Sequence, residues 1–278
     1  MPIISGLPRP CGHDVKWTTE LDRWDVMVAG AGPAGSVAAT LLARSGKRVL
    51  LVDRIEDQGH KIGECLPGPA VQLLRRLDLP SPDEGGPHER ISGVRSHWGV
   101  EVARQDAFNY PGAGDWRLDR RRFDQDLRAV ATGHGVELVP GFIKDVIPDA
   151  SGWCVKTAAG TQFGAAMVID ATGRRARIAR RLGARQKADE PVVAVWAVGE
   201  RFRGIYSTQT LIEQVADGWW YAAFLPGGEP VAIFHCLPGL ASRLSRDKGR
   251  WLALLADTHL LADTFPVDSF QCAVLKCA

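Results

Sequence analysis

Three glycines and one carboxylate carry the most legible chemistry in this sequence. Gly30, Gly32 and Gly35 form a G-x-G-x-x-G series, Gly30-Ala31-Gly32-Pro33-Ala34-Gly35, and Asp53 follows Gly35 by 18 residues. Gly30 permits a tight turn, Gly32 lets a pyrophosphate approach the backbone, and Gly35 lets a helix pack close to neighbouring strands. A helix opening here offers unpaired N–H groups and partial positive charge to phosphate. An acid roughly 20 residues further on suits a ribose hydroxyl. The chemistry is dinucleotide binding.

Such a site needs a strand before the glycines, a helix after them and a second strand bearing the acid. Val26–Ala29 is a short apolar run of strand type, and Pro33–Ser45 has helical composition and ends at Gly46. Arg48–Val52 is a second apolar strand with Asp53 at its carboxyl end. A lone glycine series is a weak signal; these flanking elements make it specific.

The composition excludes several classes. The chain has 278 residues, 45% hydrophobic and 24% charged, enough for one large or two small domains. A net charge of +2 points to neither nucleic acid nor a membrane surface. No apolar run approaches about 18 residues, so no transmembrane helix is expected. Residues 1–22 read as a loose leader with no apolar core of a secretory signal. The six cysteines, Cys11, Cys65, Cys154, Cys236, Cys272 and Cys277, are scattered without a C-x-x-C pair, which suits reduced thiols and a cytoplasmic location. Cys11 and His13 are two ligands where a zinc site needs four, so no metal is expected.

Beyond Asp53 the chain reads as a glycine- and proline-bearing loop to Pro69, a helix over Ala70–Leu77 and a polar segment to Arg90. Strand-like alternation follows over Ile91–Arg104, then a loop over Gln105–Asp115 containing Gly112 and Gly114. A helix opens at Leu118 and ends at Gly133, before a strand at Val136–Val139. A small antiparallel meander (Val146–Ile147, Trp153–Thr157, Thr161–Phe163) precedes the strand Ala165–Ala171. Longer strands then appear at Val192–Phe202, Thr208–Val215, Trp219–Leu225 and Pro230–Leu237, with a helix over Leu240–Leu261. The expected organisation is a leader (1–22), a cofactor domain with a β-meander (23–190) and a sheet-plus-helix substrate domain (191–278).

Four segments together resemble the flavoprotein monooxygenases of the p-hydroxybenzoate hydroxylase fold. The likeness is greatest to the branch holding flavin-dependent tryptophan halogenases and the tryptophan-modifying maturases of quinone-cofactor enzymes. The segments are Gly30–Gly35, Ile62-Gly63-Glu64-Cys65-Leu66-Pro67, Leu118-Asp119-Arg120-Arg121-Arg122-Phe123-Asp124, and Val168-Ile169-Asp170-Ala171-Thr172-Gly173. The resemblance spans roughly residues 23–240. It implies an α/β fold: a Rossmann-like FAD-binding domain with a second, antiparallel β-sheet substrate domain. Gly30, Gly32, Pro33, Ala34, Gly35, Asp53 and Arg54 would hold the ADP half of FAD. Gly63 and Glu64 would sit beside the flavin, Arg120 near ribose or pyrophosphate, and Asp170 and Gly173 along the cofactor cleft. Cys65 stands where the branch has serine or alanine and reads as a small core thiol.

The implied activity is hydroxylation of an aromatic group through a flavin C4a-hydroperoxide. The substrate is a small aromatic molecule or a protein tryptophan, and NAD(P)H or a separate flavin reductase is the electron source. This chemistry asks the protein to exclude water and orient the substrate rather than to supply a triad or metal. Substrate-pocket candidates are His97, Trp98, Trp219, Trp220 and Tyr221; for each, ordinary packing is the competing role. The same competition applies to His235.

Other readings stay open. A halogenase of this branch uses a lysine after the G-E-A loop, but no lysine occurs between Lys61 and Lys144. Its W-x-W-x-I-P series is replaced by the differently spaced Gly218-Trp219-Trp220-Tyr221-Ala222-Ala223-Phe224-Leu225-Pro226. A geranylgeranyl-reductase-like oxidoreductase shares the fold. The late G-D motif of the family is not matched, since Gly114-Asp115 comes too early. The sequence therefore reads as truncated at its C-terminus, and a truncated, inactive FAD-binding-fold protein is a further alternative.

Overall fold

A computed structural model describes residues 23–55, 59–99, 102–106, 114–149, 151–185, 187 and 191–278. The leader with Cys11 and His13, Gly112, and the expected boundary at residue 190 lie outside the described residues.

The described residues begin with β1 (Arg23–Ala29), α1 (Pro33–Arg44) and β2 (Val49–Asp53). The short strand β3 (Cys65–Leu66), α2 (Gly68–Arg76), β4 (Glu89–Arg90), β5 (Gly93–His97), β6 (Val102–Asp106) and β7 (Trp116–Arg117) follow. Next come α3 (Arg120–Gly133), β8 (Glu137–Pro140), β9 (Ile143–Asp149), β10 (Gly152–Thr157), β11 (Gln162–Asp170) and α4 (Arg177–Arg181). The remainder holds β12 (Val193–Val198), β13 (Thr210–Val215), β14 (Gly218–Phe224), β15 (Pro230–Cys236), α5 (Pro238–Leu244), α6 (Lys248–Ala256), α7 (Leu260–Thr264) and β16 (Lys276–Cys277). Among the described residues, no helix is long and apolar enough to cross a membrane.

These elements form two compact units, each built from two separate stretches of chain. The first joins residues up to Gly59 with Phe123–Lys187; the second joins His60–Arg122 with Ala188–Ala278. The division differs from the expected 23–190 and 191–278, because residues 60–122 belong with the second sheet. The physical reason is strand pairing: β5 adds to β13, far along the chain.

In the first unit the sheet runs β8-β2-β1-β11-β10-β9. Its first four strands are parallel, and β10 and β9 continue antiparallel. The apolar runs at Val26–Ala29 and Val49–Val52 lack alternation because both faces are covered. Val26, Val28, Val49 and Leu51 pack with Ala39 of α1 and Ala131 of α3. Met27, Leu50 and Val52 pack on the other side with Val155 and Ala165. The segments expected as separate strands, Thr161–Phe163 and Ala165–Ala171, are one strand, β11. It pairs with β10 along its first half and with β1 along most of its length.

The second unit is a seven-stranded sheet, β16-β12-β15-β14-β13-β5-β6, beside the small sheet β3-β7-β4. The large sheet is antiparallel except for the parallel pair β13–β5. Period-2 alternation sorts its side chains. Val195, Ala197, Trp220, Ala222, Phe224 and Phe234 face a core closed by Leu240, Leu244, Trp251, Leu255 and Leu261 of α5–α7. Ala194, Trp196, Tyr221, Ala223 and Ile233 take the opposite face with Ile62.

The single helix expected over Leu240–Leu261 is three. Asp247 caps α6 by accepting from Arg250 N at 2.9 Å, and Thr258 Oγ1 accepts from Ala262 N at 3.0 Å. Glu213 of β13 accepts from the backbone N–H groups of His259, Leu260 and Leu261. These polar side chains supply the acceptors that helix starts need.

Candidate functional site

The first unit carries the glycine turn. Gly30 has φ +103°, and a Cβ there would stand 2.3 Å from the Ala171 carbonyl oxygen. A Cβ on Gly35 would lie 1.8 Å from the Gly30 carbonyl oxygen. Both glycines are required by close backbone approach, of Ala171 to Gly30 and of Gly30 to Gly35. Gly32 differs: nothing lies within 4 Å of an added Cβ, and the residue takes an ordinary extended conformation as N-cap of α1. No side chain caps the helix, and Pro33 opens its first turn. The leading amides of α1 are thus left for a ligand, and phosphate is what such an end attracts.

Asp53 fastens the turn from the end of β2. Its Oδ2 accepts from Ala31 N at 2.7 Å and its Oδ1 from Arg54 N at 2.6 Å. A carboxylate has about four acceptor positions, so capacity remains for a hydroxyl. Arg128 of α3 donates to the Ala31 carbonyl at 3.3 Å, holding the turn from the other side.

A cavity of about 280 Å³ adjoins this turn, lined by Gly30, Gly32, Asp53, Arg54 and Gly173 among the expected residues. Gly141, Phe142, Thr172, Arg175 and Arg177 line it too. Thr172 belongs to the recognised Asp170–Gly173 strand end, whereas the sequence reading passed over the other four because no spacing rule connects them to the glycine series. Pro33, Ala34 and Gly35 do not line it; they build the helix start behind the turn.

Asp170 also lies off the cavity wall. Its Oδ1 accepts from Thr172 N and Thr172 Oγ1, and its Oδ2 accepts from Ile178 N and Ala179 N. Burial works to raise its pKa, but the hydrogen bonds from Ala179, Thr172 and Ile178 outweigh it and hold the carboxyl below the usual range. Asp170 therefore shapes the Ala171–Ala179 turn that forms one wall.

An open glycine face, an uncapped helix N-terminus and a carboxylate at the next strand end suit the ADP half of a dinucleotide. The cavity is at the small end of ligand sites, in keeping with a portion of the cofactor.

The second unit contains a buried polar cluster. Glu64 and Arg117 are 3% and 1% exposed, with Arg117 Nη1 at 3.8 Å from Glu64 Oε1. Arg117 Nη1 donates to the Tyr221 hydroxyl, and Nη2 donates to Thr210 Oγ1 at 2.9 Å. Glu64 Oε2 accepts from Gly63 N at 2.9 Å. Burial, the first cause, pushes the Tyr221 pKa far above its usual value, so the phenol stays neutral. Arg117 and Thr210 were missed in the sequence. Arg117 immediately precedes the recognised helix motif, and only the pairing of β3 with β7 brings it to Glu64.

Gly63 has φ +89°, which suits glycine. Arg120 Nη1 donates to the carbonyls of Ile62 at 3.0 Å and Gly63 at 2.8 Å. The guanidinium expected near ribose or pyrophosphate is here tied to the Gly63 loop. Cys65, expected in the core, is exposed, because the alternation that buries Glu64 turns its neighbour outward.

The five substrate candidates separate onto two faces. Tyr221 and Trp219 share one, where Trp219 stacks on His235 at 3.6 Å and lies 6.4 Å from Trp98. Burial lowers the His235 pKa, opposed by a backbone hydrogen bond at Trp219, which favours the neutral imidazole. Trp220 and His97 lie on the helix side. Trp220 is fully buried against Phe234 and Trp251. His97 Nδ1 lies 3.6 Å from Glu213 Oε1, and its ring meets His259 edge-on. The structure thus brings together Trp98, Trp219 and His235 on the Tyr221 face, while Trp220 and His97 belong to the packing of the opposite face.

Comparison with known proteins accords with this geometry. The sequence model of the FAD dependent oxidoreductase family matches residues 25–217. A putative FAD-dependent oxidoreductase of Marinomonas mediterranea, LodB, is 29% identical over 256 residues, 87% of this chain and 68% of that protein. Among solved structures, the peptidyl tryptophan dihydroxylase QhpG, essential for tryptophylquinone cofactor biogenesis, superposes with a TM-score of 0.72 and 25% identity. That match covers 92% of this chain and 56% of QhpG. The myxobacterial chondrochloren halogenase CndH shares the fold, with a TM-score of 0.75 and 23% identity over 92% of this chain and 64% of CndH. The chain thus spans little more than half the length of QhpG and about two thirds of LodB.

Proposed function

This chain belongs to the FAD dependent oxidoreductase family, and from that premise we propose that it hydroxylates an aromatic group, with a peptide-borne tryptophan as the leading substrate. The observation that carries the reading is the half-open aromatic strip of Trp98, Trp219 and His235 beside the partly buried Tyr221. An indole can stack on such a strip. The likeness to QhpG, whose substrate is peptidyl tryptophan, supports it.

FAD is the family's cofactor. Gly30, Gly32, the first turn of α1 and Asp53 would hold its ADP half, with Gly173 and Arg54 along the same cavity. When bound and reduced, the flavin activates O₂ for transfer of one oxygen atom. The chain's own contribution is positional. The Glu64–Arg117–Tyr221 cluster fixes the floor of the aromatic strip, and Arg120 fixes the Gly63 loop beside it. Trp219 and His235 orient the substrate ring and keep water from one of its faces. His235, neutral at pH 7, can accept a proton from the substrate.

Halogenation is the second reading, favoured by CndH. The strand β5 bears on it. Ser96 pairs with Ile212, which lies opposite Tyr221, so Val94 and Ser96 share that face and neither is an amine. The cysteines among the described residues are unpaired, which fits a reducing compartment, and we place the protein in the cytoplasm.

The test supplies purified protein with FAD, a reductant, isotopically heavy O₂ and tryptophan-containing peptides alongside small indoles. Mass spectrometry that finds heavy oxygen on the indole supports hydroxylation. Halide incorporation in bromide buffer, or reduced product without added oxygen, overturns it in favour of a halogenase or a reductase. Repeating the assay with NADH, NADPH or a separate flavin reductase identifies the electron donor.

A further inference from the structure

A second cavity in the sheet-rich unit has none of Trp98, Trp219, Tyr221 and His235 in its lining. Its volume is about 350 Å³, within the range of small-molecule sites. Four rings wall it: Phe202, Tyr206, Phe224 and Phe265. Phe224 stands among the other three, with centroids 4.9 Å from Tyr206, 5.9 Å from Phe202 and 5.1 Å from Phe265.

One cation, Arg95, faces this aromatic wall. It pairs in register with Leu211, so its side chain leaves β5 on the helix side, opposite to Tyr221. Arg95 is partly buried, and its side chain forms no hydrogen bond, ion pair or ring contact with any described residue. Tyr206 is held in place by donating to Glu89 Oε1 at 2.6 Å, so its ring rather than its hydroxyl is offered to the cavity. Asp263 lines the same cavity and is exposed.

We propose that this cavity binds a planar aromatic monocarboxylate, with its ring against Phe224 and Phe265 and its carboxylate on Arg95. A partly buried guanidinium without a partner calls for an anion, and its fork matches a carboxylate. Four rings favour a flat apolar body over phosphate or a sugar. Asp263 disfavours a second negative charge. The site stands independently of the proposed hydroxylation, since its lining includes none of Trp98, Trp219, Tyr221 and His235 and no residue of the glycine turn.

The experiment is isothermal titration of the flavin-loaded protein with indole-3-acetate, and with the uncharged indole-3-acetamide as control. The expected result is saturable binding at one site, weakened about tenfold or more for the amide and for Arg95→Met. Phe202→Ala, at a partly exposed ring, weakens it by a smaller factor while circular dichroism stays unchanged. Absence of saturable heat, equal affinity for acid and amide, or full binding by Arg95→Met overturns the proposal. So does binding that is lost in Trp219→Ala and kept in Arg95→Met, which locates the ligand on the Tyr221 face instead. None of these readouts depends on turnover, so a failure of the hydroxylase assay leaves the result distinct.

Discussion

Arg117 Nη1 lies 3.8 Å from Glu64 Oε1, and almost no water reaches either side chain. Each charge is tolerated inside the sheet-rich unit because the other is there. Removing one partner strands the other in a medium that solvates it poorly. Arg117→Leu or Glu64→Leu alone should each cost about 3–5 kcal/mol of stability. The double variant should cost clearly less than the sum, since it leaves no lone charge. Urea unfolding of the four proteins decides this; additive losses would mean that the pair is not coupled.

Tyr221 adds a pH dependence to the same cluster. Its folded-state pKa is raised above the ordinary 10.0, first by burial. The folded state therefore keeps a proton that the unfolded chain releases above pH 10. Stability from this group is present below that pH and declines as pH rises beyond it. Tyr221→Phe should flatten the alkaline limb of the stability profile. An unchanged limb in that variant assigns the decline to other groups.

Asp170 acts in the opposite direction. Its pKa is held below the ordinary 3.8, so its stabilisation is present above that pH and is lost as pH falls through the lower, folded value. Asp170→Ala releases the N–H groups of Thr172, Ile178 and Ala179 and should cost about 1–3 kcal/mol at neutral pH. The loss relative to wild type should shrink in acid. A constant difference across the acid range would exclude the carboxylate as the source.

The three glycines of the turn should behave differently under substitution. Gly30→Ala and Gly35→Ala drive a methyl group into backbone and should give insoluble protein. Gly32→Val meets open space and should fold with stability within about 0.5 kcal/mol of wild type. It should nevertheless lose bound flavin, because the branched side chain occupies the approach to the helix end. Thermal melting and the visible spectrum of the purified variant separate these effects. A Gly32→Val protein that stays fully yellow removes the turn from the cofactor site.

Two adjacent tryptophans offer a similar contrast. Trp220→Ala empties a site packed against Phe234 and Trp251 and should cost about 3–5 kcal/mol. Trp219→Ala should cost far less stability and should abolish oxygen transfer to the indole. If Trp219→Ala turns over normally, the aromatic strip is not the substrate platform.

The strand–helix–strand unit was legible because most of its signals are local: Gly35 meets the Gly30 backbone and Asp53 accepts from Ala31 and Arg54, while Gly30 also answers to the distant Ala171. The Asp170–Gly173 strand end was legible for the same reason, although Asp170 holds a turn instead of lining the cavity. The split between Trp219 and Trp220 follows from strand alternation, but the inward face is named only by what packs on it. The long-range partners were not legible. Arg117 meets Tyr221 and Thr210 through pairings between distant segments, and nothing in the local sequence marks a lone arginine before a helix as buried. Residues 60–122 joined the second unit for the same reason, through β5 and β13.

The interleaving of the two units governs how this chain must be made. As synthesis proceeds from the N-terminus, β5 and β6 leave the ribosome well before β13 exists to pair with β5. The β5 edge then presents unsatisfied backbone groups while the segments of the first unit up to β11 are still being completed. An open strand edge of this kind favours off-pathway pairing, so expression yield should depend on chaperone supply during that interval.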